Sequence, residues 1–246
     1  MSLKSKIRQD LRTHPYMTLT VARIFSQLQS LRARFALIGR YRNAYIASDV
    51  RMIGISRIEI GKNVAIGRGS WLNVNDRKSS GVAISIGDNS FIGVHNFFTA
   101  GRSIVIRDYC LTAINCAFLG SAHRYEDPMR AYSSTGTTLD GDIYVGANCF
   151  FGVGATVLGS VRIGHGCILG AGTVVRSDIP PFSLVVGNPA RVIKRFDFGE
   201  KKWVPWPADN LVEGPPEEEY IEHLRKEHGF VVHPISVVTS HFGDMF

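Results

Sequence analysis

The sequence predicts an all-β solenoid of short stacked strands, and three observations carry that expectation. From Val145 an apolar residue recurs every six positions, at Val145, Phe151, Val157, Ile163, Leu169 and Val175. Glycine follows four of these six, at Gly146, Gly152, Gly164 and Gly170. The position four after each anchor is small or short: Cys149, Ala155, Val161, Cys167 and Thr173. Neither a 3.6-residue helical repeat nor a two-residue strand alternation keeps this phase across 31 residues.

Each part of the repeat has a physical task. The aliphatic anchor fills the interior, the short residue lets the wall close, and glycine is expected at a corner where φ turns positive. Three hexapeptides bring the chain back to its start, so a coil takes about 18 residues and stacks roughly 4.8 Å above the last. The period returns upstream in blocks: Ile60, Ile66, Leu72; then Ile86, Ile92, Phe98; then Ile106, Thr112, Phe118. About five coils fit between residues 43 and 180, with insertions near 74–84 and 119–143. The fourth-following residues of these blocks include Val64, Ser70, Ser90, Asn96, Cys110 and Cys116. All four cysteines (Cys110, Cys116, Cys149, Cys167) thus hold one repeat position, which marks them as small core residues.

Composition removes several function classes. Apolar residues at 45% and charged residues at 20% fit a packed domain and not a disordered tail. No apolar run is long enough for a membrane-spanning helix, and no secretory signal is legible, so the cytoplasm is the expected location. The net charge of +7 is concentrated at one end. Residues 1–42 carry nine Lys or Arg against the single Asp10, while the rest of the chain holds 19 basic and 20 acidic groups. Nucleic-acid binding would need that charge on a folded groove, so no nucleic-acid partner is expected.

The ends read as extensions. Leu3, Ile7 and Leu11, then Val21, Ile24, Phe25, Leu28, Leu31 and Phe35, recur at helical spacing on either side of His14-Pro15. This basic amphipathic leader, residues 1–42, either lies on an anionic membrane surface or docks on the solenoid; docking is the favoured expectation because Leu28, Leu31 and Phe35 lead directly into the first coil. The solenoid domain is expected at 43–196. The C-terminal extension, 197–246, carries Trp203, Trp206 and a charged helix over Glu217–Glu227, followed by the apolar stretch Val231–Phe246.

The closing run Ile179-Pro-Pro-Phe-Ser-Leu-Val-Val-Gly-Asn-Pro-Ala-Arg-Val-Ile-Lys194, together with the long hexapeptide phase, resembles the hexapeptide-repeat acyltransferases. It is most similar to the sugar O-acetyltransferase branch, which includes galactoside, maltose and polysaccharide acetyltransferases. The resemblance spans about residues 43–196 and implies a left-handed parallel β-helix, a handedness that the period alone does not show. It also implies a homotrimer with acetyl-CoA lying in a groove between adjacent subunits.

The resemblance implies site residues too. His123 follows the start of its coil at the family's offset, at the mouth of the 119–143 insertion, and would be the catalytic base. Imidazole can take the proton of a sugar hydroxyl as it attacks a thioester carbonyl. Glu126 or Asp127 could orient that ring, as could a backbone carbonyl. CoA contacts fall on Val153, Ala171, Arg176, Arg191 and Lys194, the three basic groups suiting its phosphates. His95 is expected one coil below His123 and facing the same cleft, with Asn96, Tyr125 and Glu126 near the acceptor. Gly93 stands where the family places a helpful Asn. His165 reads as a surface corner residue. No metal is expected, because Phe118 and Ala122 stand where the family's metal-dependent members would need further His ligands.

The expected function is therefore acetyl-CoA-dependent O-acetylation of a sugar hydroxyl on a surface polysaccharide or its precursor, by direct transfer. Two alternatives stay open: N-acetylation of an amino sugar or acetylation of a small molecule such as serine or a xenobiotic, and a catalytically silent β-helix scaffold.

Overall fold

Sharp corners keep the solenoid strands short, and in the computed structural model, which describes residues 40–229, they run two to four residues. They stack as three parallel sheets. Sheet A contains Tyr45–Ile46, Ala65–Ile66, Phe91–Ile92, Leu111–Thr112, Phe150–Phe151, Ile168–Leu169 and Ser183–Val186. Sheet B contains Arg51–Ile53, Trp71–Val74, Phe97–Ala100, Ala117–Leu119, Thr156–Leu158 and Val174–Val175. Sheet C contains Ile58–Ile60, Ile84–Ile86, Ser103–Ile106, Asp142–Val145 and Val161–Ile163. The chain visits C, A and B in turn, giving five complete coils, one for each strand of sheet C. Residues 43–229 belong to one compact unit. The leader helices expected within residues 3–38 and the apolar stretch from 231 lie outside the described residues.

The hexapeptide anchors point inward as expected: Val145, Phe151, Val157, Ile163, Leu169 and Val175 are all fully buried. The widest part of the interior is filled by rings. Phe118 stacks on Phe98 at 4.7 Å between centroids and meets Phe151 edge-on at 5.1 Å. The four cysteines are free and buried. In the column Cys110, Cys149, Cys167, each thiol donates to a carbonyl of the next coil, at 3.2 Å to Gly146, 3.1 Å to Gly164 and 3.2 Å to Pro180. Burial pushes the Cys116 thiol up to about 11, so it is held protonated and unreactive.

One expectation about glycine is corrected. The glycine directly after an anchor does not take the positive φ; that falls two residues later, at Asn148, Gly154, Gly166 and Gly172. Gly146 serves close approach instead, since a Cβ there would sit 2.4 Å from the backbone nitrogen of His165 in the next coil.

The extension after the last coil folds back. Arg191–Asp197 pairs antiparallel with Ser183–Val186, and Lys202–Pro205 adds a further antiparallel strand, so sheet A ends in a meander. Helix α1 (Glu217–His228) begins with three glutamates and ends with Arg225, Lys226 and His228, charges that complement its dipole. Its apolar side chains Ile221 and Leu224, three residues apart, are buried. The helix runs along the corners between sheets C and A. Glu217 accepts hydrogen bonds from the Tyr144 hydroxyl (2.6 Å) and the Ala147 N–H (2.8 Å). Arg107 pairs with Glu218 at 2.7 Å, and Arg225 with Asp108 at 2.8 Å.

His165 is not the surface residue expected. It is 6% exposed, its Nε2 lies 3.0 Å from the Pro215 carbonyl, and its ring meets Phe182 and Tyr220 at 4.7 and 5.5 Å. The extension that leads into α1 covers it.

Candidate active site

Two corners of the solenoid hold the residues singled out in the sequence. At the corner from sheet A to sheet B, successive coils are joined by one ladder of backbone bonds. His95 N–H donates to Arg68 O, Asn115 to Val94, Gly154 to Ile114 and Gly172 to Val153, at 2.7, 3.1, 2.9 and 2.8 Å. Val153 and Ala171 therefore stand one above the other on an exposed edge, Val153 being 51% exposed. Their own N–H groups have no acceptor among the described residues. This edge can thus offer backbone donors to a ligand lying along it.

His95 belongs to the same edge. Its backbone is left-handed (φ 57°), and its exposed ring lies over Gly69 in the coil below, where a Cβ would come within 2.4 Å of the imidazole Nδ1. Gly69 is required there by both that contact and its own φ of +65°. Above Ala171, the chain caps the edge: Val174 N–H donates to Gly187 O at 3.0 Å and Ala190 N–H to Val174 O at 2.9 Å. Arg191 and Lys194 follow, both exposed and without an ion-pair partner among the described residues.

His123 lies at the other end of sheet B, at the corner toward sheet C. The insertion leaves the third coil after Leu119 and returns at Asp142. Its two arms run antiparallel: His123 bridges Thr137, Thr138 N–H donates to Ala122 O at 2.7 Å, and Arg124 N–H donates to Gly136 O at 3.1 Å. The arms hold His123 at the loop mouth with its imidazole exposed and not hydrogen-bonded among the described residues. Asp127 is committed to its own turn, accepting from the Met129 N–H at 3.0 Å. Glu126 makes no bond to the imidazole among the described residues. Tyr125 projects from the loop, 73% exposed. Arg176, exposed and unpaired among the described residues, occupies the sheet B to sheet C corner two coils above.

The chain therefore brings His95, Val153, Ala171 and Arg191 to one corner and His123, Tyr125, Glu126 and Arg176 to the next. His95 does not share a cleft with His123 within one chain. A coil side is six residues, about 20 Å of extended chain, so sheet B separates the two groups. Asn96, expected at the acceptor, is 1% exposed; its amide nitrogen donates to Val94 O (3.2 Å) and Ala113 O (2.9 Å) inside the wall. It does what its repeat position predicts, closing the wall from within. Among the described residues, no cluster of three or more His, Cys, Asp or Glu side chains could hold a metal ion. None of their helices is long and apolar enough to cross a membrane.

Comparison with known proteins agrees with this architecture. Residues 142–177 match the family model described as bacterial transferase hexapeptide (six repeats). A Staphylococcus aureus protein provisionally named an acetyltransferase is 36% identical over 115 residues, 46% of this chain and 56% of its own length. A Mycobacterium tuberculosis protein with a similar provisional name is 31% identical over 140 residues, 57% of this chain and 45% of its own. The chain spans about half the length of the curated relatives it matches. In three dimensions it is similar to AntD, an N-acyltransferase from Bacillus cereus in complex with dTDP and 3-hydroxybutyryl-CoA. That match has a TM-score of 0.55 at 17% identity and covers 75% of this chain and 86% of the other. Residues 142–177 thus match bacterial transferase hexapeptide repeats, and the chain folds as a left-handed parallel β-helix.

Proposed function

We propose that the protein is an acetyl-CoA-dependent O-acetyltransferase acting on a sugar hydroxyl of a polysaccharide or its precursor. The observation that carries this reading is the pair of corners: an exposed edge of free backbone N–H groups at Val153 and Ala171, and an exposed, unbonded imidazole at His123. The first suits the amides and thioester oxygen of a pantetheine arm, and the exposed Arg191 and Lys194, which follow the cap of that edge, suit its phosphates; Arg176, at the other corner, would reach a phosphate only on a neighbouring copy. The second suits a general base. When bound, acetyl-CoA supplies an activated acetyl group. His123 takes the proton from the acceptor hydroxyl, and the corner N–H groups hold the acyl oxygen in place.

Because sheet B separates the two corners in one chain, the working site is formed between copies, the edge of one facing the His123 loop of the next. This favours a cyclic homotrimer, in which every edge finds a loop. An amine acceptor would suit the same arrangement, and AntD is an N-acyltransferase on this fold.

The test is a thiol-release assay with acetyl-CoA against a panel of neutral sugars, amino sugars and serine, on wild type and His123→Ala. Release with hydroxyl sugars, reduced about 10²–10⁴-fold in the variant while CoA affinity changes only a few-fold, is the expected result. Turnover confined to amines would move the protein to N-acylation. Release unchanged in the variant would remove His123 as the base. No thiol release with any of the acceptors would leave a scaffold.

A further inference from the structure

On the outer face of sheet B, where its strands begin beside the His95 corner, two rings stand side by side. Trp71 and Phe97 are register partners in adjacent strands, their centroids 5.3 Å apart and their planes tilted by 50°. Trp71 is 37% exposed. Two residues along each strand, and so on the same face, stand Asn73 and Thr99, also register partners. Asn75 ties them together: its amide donates to Thr99 Oγ1 at 2.8 Å, and the Asn73 amide donates to Asn75 Oδ1 at 2.8 Å. The row therefore fixes its own geometry. Asn73 Oδ1, one N–H of each amide and the Thr99 hydroxyl proton are left without partners among the described residues.

This row sits at the foot of the loop, since the Thr99 carbonyl accepts the Gly120 N–H at 3.0 Å, three residues before His123. Flat apolar rings beside neutral groups that both donate and accept match the chemistry of a pyranose. Such a sugar has a C–H face to lay on a ring and hydroxyls that donate and accept at its rim. Trp71 lies in the first coil and Phe97 in the second, whereas His123 leaves the third. Two coil spacings are about 10 Å, more than one sugar ring can bridge.

We propose that Trp71, Phe97 and the Asn73–Asn75–Thr99 row form a subsite for neutral pyranose units of an oligosaccharide acceptor, one or more units removed from the hydroxyl that reacts at His123. The proposal rests on the sugar-acceptor reading above and narrows it to a chain of sugars. The exposed Arg51, register partner of Trp71 in the strand below, continues the column of the two rings.

The experiment titrates neutral gluco-, galacto- and manno-oligosaccharides of increasing length against wild type, Trp71→Ala, Trp71→Phe and Asn73→Ala. Binding is read by saturation-transfer NMR, which needs no turnover, and solution mass is read beside it. Affinity that rises with chain length, falls about tenfold in Trp71→Ala for long chains only, and is largely kept in Trp71→Phe supports the subsite. Equal binding by wild type and Trp71→Ala, or no binding of any oligosaccharide, overturns it. So does a changed oligomer mass in Trp71→Ala with all sugar binding intact, which would make the rings a contact between copies. Trp71-dependent binding without acetyl transfer would leave the subsite standing and remove the acceptor reading. Transfer to monosaccharides with no effect of length or of Trp71 would do the reverse.

Discussion

His95 and His123, 28 positions apart in a chain whose coils rise together, end up at opposite ends of the same sheet: His95 at the corner that enters sheet B and His123 just past the corner that leaves it. Neither imidazole can serve the other's corner within one chain, and this arrangement yields a direct test of shared sites. His123→Ala removes the base, while Ala171→Trp blocks the exposed edge. Each variant alone should be nearly inactive. Mixed oligomers, formed by co-expression or by unfolding and refolding together, should regain activity because some interfaces pair an intact edge with an intact loop. Activity that stays absent in the mixture, with mixed oligomers shown by mass, would place the whole site in one chain.

Arg191 and Lys194 are exposed and unpaired among the described residues, so their expected role is to meet phosphate. Replacing both by Ala should weaken CoA binding, and the loss should shrink in high salt because exposed charges are screened over about 8–10 Å. The variant should also discriminate less between CoA and dephospho-CoA. Calorimetry with the two ligands at low and high ionic strength checks this. Unchanged discrimination would remove both residues from the phosphate site.

Phe118 touches a ring on either side, Phe98 at 4.7 Å and Phe151 at 5.1 Å, in a core with no exposed flank to relax into. Phe118→Ala should cost about 3–5 kcal/mol, from lost transfer energy and the cavity left behind. Phe118→Leu should cost distinctly less. Urea midpoints measure both, and equal costs would mean that the ring contacts, and not the filled volume, carry the stabilisation.

Tyr144 offers a pH test of the helix attachment. Burial first, then its hydrogen bond to Glu217, pushes the phenol up to about 12 from an ordinary 10.0. The folded chain thus holds this proton more tightly than the unfolded chain does. The stabilisation is complete below pH 10.0 and is lost as pH rises toward about 12. Tyr144→Phe should be less stable than wild type at neutral pH, and the gap should close across that alkaline window. A gap that stays constant to the upper end would mean that the phenol proton is not what Glu217 holds.

Most of the architecture is legible in the sequence because the interior imposes its period locally. Val157 and Leu169 are buried for the same reason, and each can be assigned without knowing the other. Cys149 and Cys167 follow from that phase as well. What the period does not reveal is which corner a residue reaches after an insertion, and so His95 and His123 look like neighbours on paper. His165 reads as a surface residue because its cover, from Pro215 to Tyr220, comes from 50 or more positions later. The Arg191–Asp197 strand is not legible, because it sits in a run that reads as the end of the coil and its residues show no two-residue alternation of apolar and polar side chains. Trp71 and Asn73 are not legible as a site in the sequence, because outward positions carry no periodic constraint.

Helix α1 has a consequence for how the solenoid comes apart. A stack in which each coil touches only its neighbours can fray from either end, one layer at a time. Here the segment leading into the helix covers His165 in the fifth coil, Glu217 and Tyr220 bond to the fourth, Arg225 grips Asp108 in the third, and the Gly229 carbonyl accepts from Asn89 in the second at 3.2 Å. Twelve helical residues span about 18 Å, more than the three spacings, about 14 Å, that separate the second coil from the fifth. The helix clasps them like a spine along a bound book, so amide protons from the second to the fifth coil should exchange together, in a single opening of the whole stack.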